Sequence, residues 1–165
     1  MNHARWMLGG VAVVSVAAVG AALVSQYAYN MQPCPWCVLQ RVIFLAIAIV
    51  ALAGLVLPGL LRRLATVLLV VLTGCGAAAA LWQHYVAGNS ASCNLTLADK
   101  IVGGLKLDET LPQVFMATAS CADAKVNLWG LPYEAWSLAL FALMGAVGVR
   151  LLLPSHSPGR GLSRA

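Results

Sequence analysis

Apolar residues fall in four long blocks, at about 6–26, 38–57, 65–86 and 132–153, and polar residues gather in the stretches between them. A helix that crosses a bilayer needs roughly 20 residues at about 1.5 Å each. Each block is long enough, so the pattern predicts an all-α membrane protein, a four-transmembrane-helix bundle. Four spans leave little chain for a separate soluble domain. We therefore expect one domain over residues 1–154. The Ser/Gly/Pro/Arg-rich tail, 155–165, is expected to be disordered. The first block follows Arg5 as a signal peptide would, but its apolar run of about 19 residues exceeds the usual 7–15. It is predicted to be a retained helix.

The connecting stretches refine this outline. Tyr27 and Tyr29 close the first block with interfacial residues. Pro33 and Pro35 favour a turn and then a helix start. Pro58-Gly59 ends the second block. The third contains Gly74-Cys75-Gly76-Ala77-Ala78-Ala79-Ala80, small residues that predict a close-packing face. Cys75 reads as a buried small hydrophobe, and Trp82 and Tyr85 as an outer aromatic belt. Residues 87–131 are too many for a mere connector. Leu97, Ile101, Val102 and Leu105 recur there among polar residues, with Gly103-Gly104 interrupting. This predicts a short amphipathic piece on the outer membrane surface. Leu111–Met116 forms a second apolar patch, in which Phe115 and Met116 are expected to touch lipid. The sequence has no internal repeat.

Composition agrees: 61% of residues are hydrophobic and 9% charged, against roughly 25% charged in soluble domains. The distribution of the +5 net charge adds topology. Arg5, Arg62, Arg63, Arg150, Arg160 and Arg164 flank the blocks at one end, whereas all five acids lie between the third and fourth blocks or at the edge of the fourth. The positive-inside rule then puts both termini and the 58–64 turn in the cytoplasm, with loops 27–37 and 87–131 outside. The basic charge is topogenic, and no nucleic-acid partner is expected.

That topology puts Cys34, Cys37, Cys93 and Cys121 outside, in an oxidising compartment if the host is a bacterium. Cys34-Pro35-Trp36-Cys37 is a dithiol at CxxC spacing where the second helix should begin. A helix N-terminus and a nearby cation both lower a thiol pKa. Cys37 has both, since Arg41 follows one helical turn later. The alternatives are metal ligands or static bridges, which would make this a structural or metal-binding membrane protein; the outer location, the second Cys pair and Arg41 favour redox chemistry. Arg41 is either a snorkelling anchor or a functional charge beside a thiolate or a reduced cofactor oxygen.

The run Pro33-Cys34-Pro35-Trp36-Cys37-Val38-Leu39-Gln40-Arg41, on the second of four spans, resembles the DsbB family, the disulfide bond formation proteins B. So do Leu107-Asp108-Glu109-Thr110-Leu111-Pro112-Gln113-Val114-Phe115, Cys121-Ala122-Asp123 and Leu128-Trp129-Gly130-Leu131. The resemblance covers about residues 10–153. It implies a bacterial inner-membrane oxidoreductase that re-oxidises a periplasmic DsbA-like thioredoxin-fold partner and passes electrons to a membrane quinone, ubiquinone or menaquinone. The DsbA–DsbB–quinone route is the known means of keeping a bacterial periplasm oxidising. The resemblance further implies resting disulfides Cys34–Cys37 and Cys93–Cys121, with Cys93 meeting the partner and Cys37 facing the quinone. Arg41 and His84 would border the quinone; the alternative for His84 is a solvent-facing interface residue.

Overall fold

The computed structural model describes residues 2–87, 96–124, 126–128 and 130–153. Cys93 and the tail 155–165 lie outside the described residues. Four helices are long and apolar enough to cross a membrane: α1 (Asn2–Ala28), α2 (Pro35–Val56), α3 (Gly59–Tyr85) and, after the outer loop, α7 (Tyr133–Leu152). Between α3 and α7 come the short helices α4 (Leu97–Gly104), α5 (Leu107–Thr110) and α6 (Pro112–Phe115), and a two-stranded hairpin of β1 (Asn127–Leu128) and β2 (Leu131–Pro132). Each long helix packs on the next in the chain, α1 on α2, α2 on α3 and α3 on α7, while α1 meets α7 along only a short, sparse seam.

The first block is a packed helix of the bundle. Leu8, Val11, Ala12 and Val19 of α1 are buried in one core with Phe44, Ile47, Ala51, Leu69, Phe141 and Met144. Between helices in lipid, close packing supplies the attraction that water-driven burial supplies elsewhere. Phe44 and Phe141 stack at 4.2 Å and 11°. Phe141 fits because Gly76 faces it: a Cβ there would come within 2.4 Å of the ring. Gly148 similarly admits Val70, whose Cγ2 would lie 2.7 Å from an added Cβ.

Helix α2 starts at Pro35, where the prolines and the CxxC pair predict a helix start: Cys34 caps it and Pro35 occupies the first turn. Two helix-level expectations need correction. Helix α3 starts at Gly59 rather than 65, since the chain reverses in two residues through the positive φ of Gly59 (+52°). Arg62 therefore lies in the first turn of α3, where its Nε–H donates to the Leu57 carbonyl at 3.1 Å. Cys75 is exposed on the outer face of α3 rather than buried. The packing row is Gly76, Ala79, Ala80 and Gln83, one residue round the helix.

Helix α4 forms where the amphipathic piece is expected. A capping box starts it: the Thr96 hydroxyl accepts from the Asp99 N–H and the Asp99 carboxylate accepts from the Thr96 N–H. Ala98 and Val102 are buried, and α4 packs on α2. Leu97, Ile101 and Leu105 form a second, exposed apolar row. Phe115 is buried against Val38 and Val102 instead of facing lipid, because α6 is docked on α2. Met116 is exposed.

Candidate functional site

Cys34 is the N-cap of α2. Its sulfur accepts from the Cys37 backbone N–H at 3.3 Å, the position a serine or aspartate oxygen usually holds. The CxxC spacing then puts Cys37 in the third helical position, within the positive end of the helix dipole. The two sulfurs stand 2.8 Å apart. Cys34 is completely buried (0% exposed).

The loop between α3 and α7 brings a third sulfur to this pair. The N–H groups of Thr118 and Ala119 both donate to the Pro33 carbonyl, at 3.0 and 3.2 Å. The Thr118 hydroxyl donates to Gln32 Oε1 at 2.5 Å, and the Tyr27 hydroxyl to the Gln113 carbonyl at 2.7 Å. Cys121 follows in a turn closed by the Asp123 N–H donating to the Ser120 hydroxyl. The result packs the Cys121 side chain against Cys34, in a cluster with Trp36, Ala98 and Cys37. Cys34 keeps the proton. Its hydrogen bond to the Cys121 sulfur, its contact with Cys37 and its burial push its pKa upward. The same bond from Cys34 holds the Cys121 thiol below the ordinary thiol range, against an opposing effect of burial.

A thiol of lowered pKa is ionised at lower pH, and the thiolate is the form that alkylates. In the reduced protein, Cys121 should therefore be alkylated by iodoacetamide well before Cys34 at every pH from 6 to about 8. Peptide mass spectrometry reads the ratio directly. Equal rates at the two positions would show that the shared proton is misassigned.

On the other side of the pair lies a cavity of about 240 Å³ between α1 and α7, floored by α2. Ala18, Ala21, Ala22 and Ser25 of α1 line it. These small side chains, one turn apart along a single face, leave the space that the sparse α1–α7 seam does not fill. Cys37 and Arg41 both border the cavity. Cys121 instead lines a larger hollow of about 540 Å³ on the loop side, with Thr96, Val102 and Phe115. Thus Cys34 sits sealed between a sulfur on the loop side and a sulfur on the membrane side.

Arg41 does not snorkel. It is 5% exposed, and its NH1 group donates to Gln26 Oε1 and to the Val114 carbonyl, both at 2.8 Å, while NH2 reaches the Ala22 carbonyl at 3.5 Å. Its Nε is buried without a partner, an unmet donor that costs roughly 1–3 kcal/mol unless an acceptor meets it. Arg41, Ser25 and Tyr133 put polar donors on the wall of an otherwise largely apolar cavity, so the residues present suit a quinone head group.

Gln83 completes the setting of Cys37. Its Oε1 accepts from Gln40 Nε2 at 2.8 Å, which leaves its own NH2 to donate to the Cys37 sulfur at 3.3 Å. A carboxylate at position 40 would compete for that NH2. His84 is not on the cavity wall. Its Nδ1 lies 2.8 Å from Glu134 Oε1, and Glu134 is on the wall. Trp36 is buried beside the sulfurs, 6.3 Å from Trp82, and does not line the cavity.

Gln26, Gln83, Tyr133 and Glu134 are site residues that sequence pattern alone does not single out. The available signal is that polar or ionisable groups within apolar spans are expensive and mark function. Among the described residues, no group of three or more His, Cys, Asp or Glu is disposed to hold a metal ion.

Residues 4–151 match the family model for disulfide bond formation protein DsbB. The chain is 38% identical over 144 residues to the disulfide bond formation protein B of Cupriavidus metallidurans, covering 84% of this chain and 88% of that one. It is 35% identical over 133 residues to disulfide bond formation protein B 1 of Pseudomonas syringae pv. syringae, covering 79% of each. With the protein B of Aromatoleum aromaticum it shares 32% identity over 155 residues, covering 90% of this chain and 92% of that one.

Proposed function

Because this chain belongs to the DsbB family, and is therefore a multi-pass membrane oxidoreductase of disulfide bond formation, we propose that it re-oxidises a DsbA-like thioredoxin-fold partner and delivers the electrons to a membrane quinone. Its sulfur-bearing end faces the periplasm, and its arginine-flanked end the cytoplasm. Membership of the family disfavours the structural or metal-binding alternative. The observation that carries the reading is the buried Cys34 sulfur, flanked by Cys121 on the loop side and by Cys37 on the wall of a cavity shared with Arg41.

At rest, the disulfides are Cys34–Cys37 and Cys93–Cys121. A partner thiolate attacks the Cys93 sulfur, forming a mixed disulfide and releasing Cys121 as a thiolate. Cys121 attacks Cys34; the Cys34–Cys121 bond forms, the Cys34–Cys37 bond breaks, and Cys37 leaves with the electron pair. The partner's second thiol then resolves the mixed disulfide, and Cys93 released from it attacks Cys121. This frees Cys34 to close again on Cys37 as two electrons leave the pair. A bound quinone supplies the acceptor for two electrons and two protons. Gln83 and the α2 N-terminus hold the Cys37 thiolate meanwhile, and Arg41 stabilises negative charge developing in the cavity. Two protons are shed outside by the partner's thiols, so the sum is partner dithiol plus quinone giving partner disulfide plus quinol.

Purified protein in lipid nanodiscs should turn over with a reduced DsbA-like partner and ubiquinone or menaquinone. Cys93→Ser should bring the rate to background. Turnover retained in that variant would overturn the relay.

A further inference from the structure

Quinone reduction needs protons as well as electrons, and the relay of sulfurs brings only electrons into the cavity: Cys37 arrives there as a thiolate. Two protons per turnover must enter a space between α1 and α7 whose wall is mostly apolar. The titratable groups on that wall are Cys37 and Arg41 of α2 and Tyr133 and Glu134 of α7. Arg41 keeps its protons at any working pH, and the Tyr133 hydroxyl is directed to Ser25 Oγ at 3.4 Å. Glu134 differs from them. Its side chain is 9% exposed on the wall, and its Oε1 lies 2.8 Å from Nδ1 of His84, whose ring is 44% exposed in the last turn of α3. The pair spans from the cavity to the outer end of the bundle.

Taking the acceptor to be a quinone, a reading on which this role depends, we infer that Glu134 donates the protons consumed in the cavity and that His84 reloads it from the outer aqueous side. One proton lies between Nδ1 and Oε1. As the two electrons leave the Cys34–Cys37 pair, that proton passes from Nδ1 to Oε1 and on from Glu134 to the acceptor oxygen, while His84 takes a proton from water at Nε2. Exchange with water returns the ring to its Nδ1–H form. A second pass completes the two-proton requirement, and the protons taken up balance those the partner's thiols shed on the same side. Arg41 and Glu134 thus divide the work on the cavity wall, one holding charge and the other moving it.

Glu134→Gln keeps the size of the side chain but holds no transferable proton. With reduced partner and quinone, its quinol formation should slow by about 100-fold, the scale of general acid catalysis. Small weak acids such as formic acid should restore much of the rate, and His84→Gln should be rescued by imidazole. A structural role would also slow the variant but would not be rescued. Infrared difference spectra of the wild-type protein on quinone reduction should carry a carboxyl C=O band that Glu134→Gln lacks. Capture of the reduced partner at Cys93 in quinone-free protein should proceed at the wild-type rate in both variants. A Glu134→Gln protein that makes quinol at the wild-type rate, or one that is slow, unrescued and unchanged in its carboxyl bands, overturns this inference alone. A wild-type protein that captures partner but reduces no quinone overturns the quinone reading and this inference with it.

Discussion

Cys37→Ser should end turnover, by more than about a thousandfold as for other lost nucleophiles, while leaving Cys34 and Cys121 free to be joined. With Cys93→Ser added to each variant so that Cys121 carries a free thiol, a mild thiol oxidant should give a Cys34–Cys121 disulfide in non-reducing peptide maps of the Cys37→Ser protein. Cys34→Ser should be equally inactive yet yield little Cys37–Cys121 product. The asymmetry follows from geometry. Cys34 is packed in one cluster with Cys121. Cys37 Sγ is held by Gln83 at 3.3 Å on the wall of the other cavity. Both variants lose the same disulfide, so activity alone cannot separate the two sulfurs, whereas the cross-link can. A Cys37–Cys121 product as abundant as Cys34–Cys121 would reverse the assignment of roles.

Arg41→Met should lower kcat/KM for quinone by about 10²- to 10³-fold, the scale of losing one preorganised donor to a developing oxyanion. Two effects combine in that figure. The cation on the cavity wall disappears, which lowers kcat. The Gln26 and Val114 oxygens, each bound at 2.8 Å, also lose their donor. Buried acceptors left unpaired cost about 1–3 kcal/mol each, so the variant should also melt earlier. Because Val114 leads directly to the end of α6 and the Cys121 loop, the loss loosens the segment that presents Cys121 to Cys34. Arg41→Lys restores the charge but not the guanidinium whose NH1 meets Gln26 and Val114 while NH2 reaches Ala22; KM should recover in part and the melting temperature little. Steady-state titration with quinone, beside thermal unfolding in detergent, separates the two contributions. Unchanged kcat and KM in a stably folded Arg41→Met protein would remove Arg41 from the site.

The four spans are legible in the sequence because each satisfies its backbone hydrogen bonds internally and must be apolar for about 20 residues, a property local to the segment. The CxxC pair with Arg41 is legible for the same reason: three residues within two turns of one helix share a face whatever surrounds them. Helix starts are less so. Pro58-Gly59 reads as a break, yet only the positive φ of Gly59 shows that α3 resumes at once. The Gly74–Ala80 run reveals that a close-packing face exists without saying which residues form it. Phe141, far along the chain, selects Gly76 and leaves Cys75 outside.

What the chain alone determined is the four-span membrane architecture and the CxxC–Arg41 constellation at the start of the second span, both written in local pattern. The division of labour between Cys34 and Cys37 required the tertiary structure, because it depends on the outer loop docking on Pro33 and on α1 and α7 standing apart. Gln83, Gln26 and Glu134 enter the site from three different helices. No spacing in the sequence relates them, since residues on separate helices meet only through rotations and crossings that packing fixes. The dithiol is visible in the chain by itself, whereas the loop-side sulfur that meets it and the membrane cavity behind it come from the fold.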